Sequence, residues 1–166
     1  YPTEKIGENT RRYRQLGLGY TNLGALLMAT GKAYDSDDGR STAAAITALM
    51  CGEAYRTSAR IARRMGPYDG YANDSDAMLK VLDMHRNEAL ALDQSVIESE
   101  MASAIAESWN DACELAQASG VRNAQTTVLA PTGTISFMMD CDTTGIEPDF
   151  ALVKHKQLVG GGFLAM

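Results

Sequence analysis

Three hydroxyl residues surround a glycine in Pro131-Thr132-Gly133-Thr134-Ile135-Ser136, and residues of these types at this spacing could hold an anion. The run before them, Thr126-Thr127-Val128-Leu129-Ala130, is apolar and β-branched, which predicts a strand ending at Pro131. Gly133 would let backbone approach a ligand with no Cβ in the way, and the turn that follows would present free N–H groups at a helix N-terminus. Thr132, Thr134 and Ser136 can add hydroxyl donors. No lysine follows the glycine, so this is not a Gly-x-x-x-x-Gly-Lys-Ser/Thr loop, nor does it match the Gly-x-Gly-x-x-Gly dinucleotide fingerprint. Local chemistry alone fits an ordinary capped turn equally well.

Other reactive residue types are scattered. His85 and His155 stand alone, with no carboxylate partner identifiable for general-base chemistry. Cys51, Cys113 and Cys141 are far apart, with no Cys-x-x-Cys, which argues against zinc and against a disulfide scaffold. The first two read as buried small hydrophobes, and Cys141, flanked by Asp140 and Asp142, is a poor thiolate. Glu147 in Gly145-Ile146-Glu147-Pro148 is better suited to orienting a loop or capping a helix than to direct chemistry, with Gly145 permitting an unusual turn. Asp35-Ser36-Asp37-Asp38-Gly39 lacks the alternation of a calcium loop and reads as an N-cap. No catalytic residue and no metal ligand is assigned.

The elements that must position these residues are mostly helical. Arg11-Arg12-Tyr13-Arg14 reads as a solvated or inter-domain face, and Gly17-Leu18-Gly19 as a short extended piece in tight approach to a helix. A first helix is predicted from about Thr21 to Thr30, with Leu23, Leu26 and Leu27 inside and Gly31 as its stop. A second, from about Ser41 to Met65, would bury Ile46, Leu49, Met50, Ala54, Thr57, Ile61 and Met65, leaving Arg56, Arg60, Arg63 and Arg64 at the rim or outside. A third, capped by Asn73 to Asp76, would bury Met78, Val81, Leu82 and His85. A fourth, from about Ile97 to Ala118, would bury Ile97, Met101, Ile105, Trp109, Ala112 and Ala116 and end at Gly120. Phe137-Met138-Met139 reads as core filling or as one wall of a cavity.

Net charge is −6, from 15 basic and 21 acidic residues, with no long basic run, which excludes nucleic acid and membrane surfaces as expected partners. No apolar stretch is long enough to span a membrane and no signal-peptide pattern opens the chain, so a cytoplasmic location is expected. The 166 residues show no repeat and no linker and are expected to form a single partial domain, an excised piece of something longer. A lone strand needs neighbours for its backbone groups, so its partners are expected outside this chain.

Gly120-Val121-Arg122-Asn123-Ala124-Gln125, then Ala130-Pro131-Thr132-Gly133-Thr134-Ile135-Ser136, then Thr143-Thr144-Gly145-Ile146-Glu147-Pro148 together resemble the large catalytic subunit of ribonucleotide reductases. The resemblance continues upstream through Asn9 to Gly19 and Tyr34 to Gly39, so it covers nearly the whole chain. Thr-Gly-Thr-Ile-Ser with Met139-Asp140-Cys141-Asp142 and the triple glycine Gly160-Gly161-Gly162 is most similar to the adenosylcobalamin-dependent, class II branch. The resemblance implies an α/β fold, with residues 1–166 a mostly helical, late-middle fragment of a ten-stranded α/β barrel. It implies reduction of ribonucleotides, diphosphates by preference, to 2′-deoxyribonucleotides for DNA synthesis. A cobalamin-derived radical would make a cysteine thiyl that abstracts the 3′ hydrogen, and the 2′ hydroxyl would leave as water. Adenosylcobalamin, a thioredoxin- or glutaredoxin-type reductant and a homodimer of the parent are the implied cofactor and partners. Pro131, Thr132, Gly133, Thr134, Ile135 and Ser136 would bind the substrate phosphates. No cysteine here has the Asn-x-Cys-x-Glu context of the thiyl-forming residue, so the fragment alone is expected to be inactive. The competing readings are the diiron-dependent, class I large subunit and a non-enzymatic helical interaction module.

Overall fold

A computed structural model describes residues 1–157 and 159–165. Its elements in chain order are α1 (Glu4–Tyr13), α2 (Leu23–Ala29), α3 (Asp37–Met65), α4 (Tyr71–Leu90), α5 (Ser99–Ser119) and the single turn α6 (Ile135–Met138). An antiparallel hairpin of β1 (His155–Gln157) and β2 (Phe163–Ala165) follows, pairing His155 with Ala165 across the triple glycine. The chain forms two compact units, residues 1–18 with 40–128, and residues 19–39 with 129 onward. None of these boundaries falls in a Pro- or Ser-rich stretch, so the sequence carries no linker signal for them.

In the first unit the core lies among α3, α4 and α5. Trp109, 1% exposed, is its largest fully buried side chain, and its indole N–H donates to the Ala48 carbonyl at 2.9 Å. The α5 stripe predicted from periodicity is the one that packs: Ile105, Trp109, Ala112 and Ala116 are buried, with Ile97 and Met101 packed against the core. The α3 stripe is different from the predicted one. Ala45, Gly52, Tyr55, Ala59 and Ala62 face inward, whereas Thr57, Ile61 and Met65 are exposed. Periodicity weights large apolar residues, but here small ones are needed: a Cβ on Gly52 would stand 2.6 Å from Ser108 Oγ and 2.9 Å from the Trp109 ring. Arg56 lies at the rim as expected and links α3 to α5 through Glu107 at 3.0 Å and Asp111 at 2.8 Å.

Two further expectations are corrected in α4. It starts at Tyr71, so Asn73 to Asp76 lie inside the helix instead of capping it, and Val81 and His85 are exposed and not buried, His85 keeping only one ring face toward the core. The His85 ring is instead stacked against Trp109 with centroids 6.0 Å apart. The basic segment Arg11-Arg12 is solvated, as expected, but it ends a helix that the apolar pattern does not reveal. α1 holds by its ends: Thr3 Oγ1 accepts the Ile6 N–H at 3.3 Å, Glu4 lies in the first turn and Arg11 and Arg12 in the last. Arg122 closes the other end of the bundle, its Nη1 donating to the carbonyls of Gly66 at 3.1 Å and Pro67 at 3.0 Å just past α3.

The strand expected over Thr126 to Pro131 does not form as such. Its extended backbone makes one parallel bridge, Leu18 to Thr127, with the Leu18 N–H donating to Thr126 at 3.0 Å and the Val128 N–H to Leu18 at 2.7 Å. A single bridged pair is not a ladder, so no strand is formed here. The extended character of Gly17-Leu18 agrees with the sequence, and Gly17 is crowded, a Cβ there falling 2.8 Å from Val128 Cγ1.

In the second unit, α2 buries Leu23 and Leu27 while Leu26 is exposed, and Gly31 ends it at φ +70°. Ser36 caps α3 as expected, its Oγ accepting the Gly39 N–H at 3.0 Å. The close approach at Gly52 yields a test in the full-length protein. Gly52→Val lowers stability by about 1–3 kcal/mol through overpacking, read as a lower urea midpoint at unchanged slope. A midpoint equal to the parent's would mean that α3 and α5 do not meet at this residue.

Candidate functional site

The loop predicted to bind anions lies in the second unit, and its hydrogen bonds divide its residues into holders and presenters. Thr132 is fixed twice, its N–H and its Oγ1 both donating to the Thr144 carbonyl at 2.8 Å. Ser136 is fully buried and donates its hydroxyl to the Gly133 carbonyl at 2.6 Å, while its own carbonyl accepts the Cys141 N–H at 3.0 Å. Two of the three expected hydroxyl donors therefore hold the loop. Thr134 is exposed, and its hydroxyl has no partner among the described residues.

Gly133 adopts φ +65° with no atom within 4 Å of where a Cβ would stand, so the backbone angle and not crowding calls for glycine. Thr134 follows in the right-handed region at φ −62°. Successive residues of opposite hand turn adjacent N–H groups to one side and make a small anion-binding concavity. The N–H groups of Gly133, Thr134 and Ile135 have no acceptor among the described residues. α6 is four residues long, so attraction for an anion comes from these individual N–H groups and hardly at all from a helix macrodipole. Pro131 and Ile135 are exposed on the same loop.

Behind the loop runs the segment 142–149, and α2 carries it. Asn22 adopts φ +69°, tolerable for asparagine, and its side-chain oxygen accepts the N–H groups of Asp142 at 2.9 Å and Thr143 at 3.2 Å. Thr21 Oγ1 donates to the Thr143 carbonyl at 2.7 Å, and the Tyr34 hydroxyl to the Ile146 carbonyl at 2.6 Å. A Cβ on Gly24 would fall 2.9 Å from the Glu147 carbonyl oxygen and the Asp149 nitrogen, so only glycine admits this contact. Gly145 is less constrained: its backbone is not left-handed, and a Cβ would make a tight 3.1 Å contact with the Glu147 carboxylate, a side-chain end that could give by a few tenths of an ångström.

Glu147 does the loop-orienting work that the sequence favours for it. Its Oε1 accepts the Thr144 N–H at 2.5 Å and the Thr144 hydroxyl at 2.7 Å. Burial alone would raise its pKa, but these bonds and neighbouring backbone N–H groups outweigh burial and hold the carboxyl below its ordinary value. A second anchor lies nearby. Asp149 and Lys154, both largely buried, form an ion pair at 2.6 Å, and Lys154 also donates to the Asp142 carbonyl. The Lys154 hydrogen bond is the main reason the Asp149 carboxyl sits below its ordinary value. An acid and a base five residues apart outside a helix give no periodic signal, which is why sequence patterning passes over them.

The scattered candidates stay scattered. Cys51, in the first unit, contacts Thr127 Oγ1 at 3.5 Å, and burial pushes its thiol up, as it does that of Cys113. Cys141 stands just past α6, and His155 is exposed on β1. Phe137, Met138 and Met139 are exposed instead of filling a core, Met138 to 87%. Among the described residues no group of three or more His, Cys, Asp or Glu could hold a metal ion, and no helix is long and apolar enough to cross a membrane.

The family model described as "Ribonucleotide reductase, barrel domain" matches residues 1–166. The chain belongs to the ribonucleotide reductase barrel-domain family. A vitamin B12-dependent ribonucleotide reductase of Streptantibioticus cattleyicolor is 57% identical over 163 residues, 98% of this chain and 27% of that protein. One of Rhodopirellula baltica is 54% identical over 166 residues, 99% of this chain and 16% of that protein. A vitamin B12-dependent ribonucleoside-diphosphate reductase of Mycobacterium tuberculosis is 28% identical over 160 residues, 96% of this chain and 17% of that protein. The chain thus spans about a quarter or less of the length of these curated relatives.

Both lowered carboxyls favour the folded chain as anions. Their contribution to stability is complete above the unfolded carboxylate pKa, near pH 4, and is lost as the pH falls through the lower folded values. Hydrogen exchange of segment 142–154 in the full-length protein, corrected for intrinsic rate, is expected to accelerate as the pH falls from about 5 to about 2, and Asp149→Asn to remove part of that dependence. Exchange that stays flat over this interval would show that the two carboxylates do not hold the segment.

Proposed function

We propose that this chain is the late-middle portion of the catalytic barrel of a vitamin B12-dependent ribonucleotide reductase, and that Pro131 to Ser136 receive the substrate phosphates. The reaction class is carried by one observation: the family match across residues 1–166, joined by relatives named vitamin B12-dependent at 54% to 57% identity. Those names favour the cobalamin branch over the diiron branch, and membership of an enzyme family leaves little to the interaction-module reading. In the parent, ribonucleotides would be reduced to 2′-deoxyribonucleotides, with diphosphates as substrate in keeping with the name of the Mycobacterium tuberculosis relative. A thioredoxin- or glutaredoxin-type protein would supply electrons, and a homodimer is the expected assembly in the cytoplasm.

The barrel assignment draws support from the single parallel bridge. Parallel strands are ordinarily covered on both faces, yet Leu16, Leu18 and Val128 are 48%, 49% and 44% exposed. The N–H groups of Gly17 and Thr127 have no acceptor among the described residues. Apolar side chains left bare on a parallel pair whose outward N–H groups lack acceptors suit two neighbours taken from a larger sheet.

Adenosylcobalamin, when bound, supplies the radical that starts the reaction. The described residues are not fitted to hold it: His85 lies against Trp109, His155 stands on an exposed strand, and no metal-ligating group is assembled. What this chain contributes is the phosphate end of the substrate. The N–H groups of Gly133, Thr134 and Ile135 and the Thr134 hydroxyl would donate to phosphate oxygens, while Pro131, Thr132 and Ser136 keep the loop in shape. Hydrogen bonds to charged groups are worth about 1.5–3 kcal/mol each, so three or four reach roughly the 8 kcal/mol of micromolar binding.

Replacing Gly133 by valine forces a β-branched residue into a left-handed angle. In the full-length enzyme Gly133→Val should weaken ribonucleotide binding at least about tenfold, equivalent to about 1.4 kcal/mol, with a smaller effect on melting temperature. Substrate affinity unchanged in that variant would remove the loop from the site.

A further inference from the structure

Glu147 makes no bond to the loop, yet the bonds that fix the loop's entrance pass through the residue it holds. Its Oε1 takes two donors from Thr144, the N–H at 2.5 Å and the hydroxyl at 2.7 Å. The Thr144 carbonyl in turn takes both donors of Thr132 at 2.8 Å. Thr132 directly precedes Gly133, whose left-handed angle turns the open N–H groups to one side. Orientation therefore passes from carboxylate to Thr144, from Thr144 to Thr132, and from Thr132 to the N–H groups.

The choice of residue is informative. A negative charge behind an anion site weakens the ligand through space, so a residue serving packing alone would do better neutral. The carboxylate is accounted for by its two short, charge-assisted bonds to one residue, which a neutral acceptor makes only weakly. Thr144 cannot swing without breaking all four bonds, and α2 restricts it further by holding Thr143 through Thr21 and Asn22.

We infer that Glu147 is a positioning residue for substrate-phosphate binding, acting through Thr144 on Thr132 and so on the direction of the Gly133, Thr134 and Ile135 N–H groups. The inference rests on the loop being the phosphate subsite.

The test is made in the full-length enzyme with Glu147→Ala, Glu147→Gln and Gly133→Val, measuring affinity for cytidine diphosphate and for unphosphorylated cytidine, steady-state kinetics and melting temperature. Glu147→Ala is expected to weaken cytidine diphosphate about tenfold, to leave cytidine unchanged, and to raise KM with kcat nearly constant. Glu147→Gln, which keeps the shape and one acceptor, is expected to lie between Glu147→Ala and the parent, and it carries the test if the alanine variant does not fold. Equal losses for cytidine and its diphosphate, or losses that follow melting temperature alone, would reduce Glu147 to a structural cap and overturn the inference. Weakened diphosphate binding in Gly133→Val with none in either Glu147 variant would overturn the inference and leave the loop assignment standing. No effect of Gly133→Val would overturn the loop assignment itself.

Discussion

One carbonyl oxygen, that of Thr144, fixes the geometry of the second unit. It accepts two donors from Thr132, while the N–H and hydroxyl of the same residue are both committed to Glu147. A loop with almost no regular secondary structure must satisfy its backbone groups one at a time, and here a single residue joins the two chain segments that do so. α2 contributes the rest of the support through Thr21 and Asn22, so a seven-residue helix with two buried leucines becomes the frame for the irregular segment 142–149.

What the sequence made legible follows from how each feature is encoded. The α5 stripe was readable because large apolar residues recur at helical spacing and Trp109 dominates the core. The inner face of α3 was not, because its signal is smallness: Ala45, Gly52 and Ala59 bury well but score weakly beside Ile61 and Met65, which lie outside. α1 gives little apolar signal because its inward contacts are made by Gly7 and by Tyr13 at its end, while its ends carry charge. The candidate loop could be located from its residue types, whereas the division of labour inside it could not. Nothing in Thr-Gly-Thr-Ile-Ser announces that the first threonine and the serine direct their hydroxyls inward while the middle threonine stays open. Glu147 between Gly145 and Pro148 suits a loop-orienting role, but its partner, Thr144, is set by the fold of the loop and not by any spacing rule.

The strand expected before the loop shows how far local patterning reaches. β-branched composition fixes the extended backbone of Thr126 to Val128, and the chain adopts it. Strand identity, however, belongs to a ladder and not to a segment, and a ladder needs consecutive paired residues on a neighbouring segment. The isolated Leu18–Thr127 bridge is what remains when local preference is satisfied and long-range pairing is not.

The way α3 and α5 meet has a mechanical consequence. Trp109 sits in the gap left by Gly52 and is tied to the Ala48 carbonyl, with the acidic residues Glu107 and Asp111 clasping Arg56 a turn away. Sliding α5 by one turn, about 5.4 Å, would drive the indole out of that notch and unclasp the guanidinium in the same stroke. The notch therefore keys the two helices in register, so that α5 cannot slide along α3 at this level while the indole stays seated.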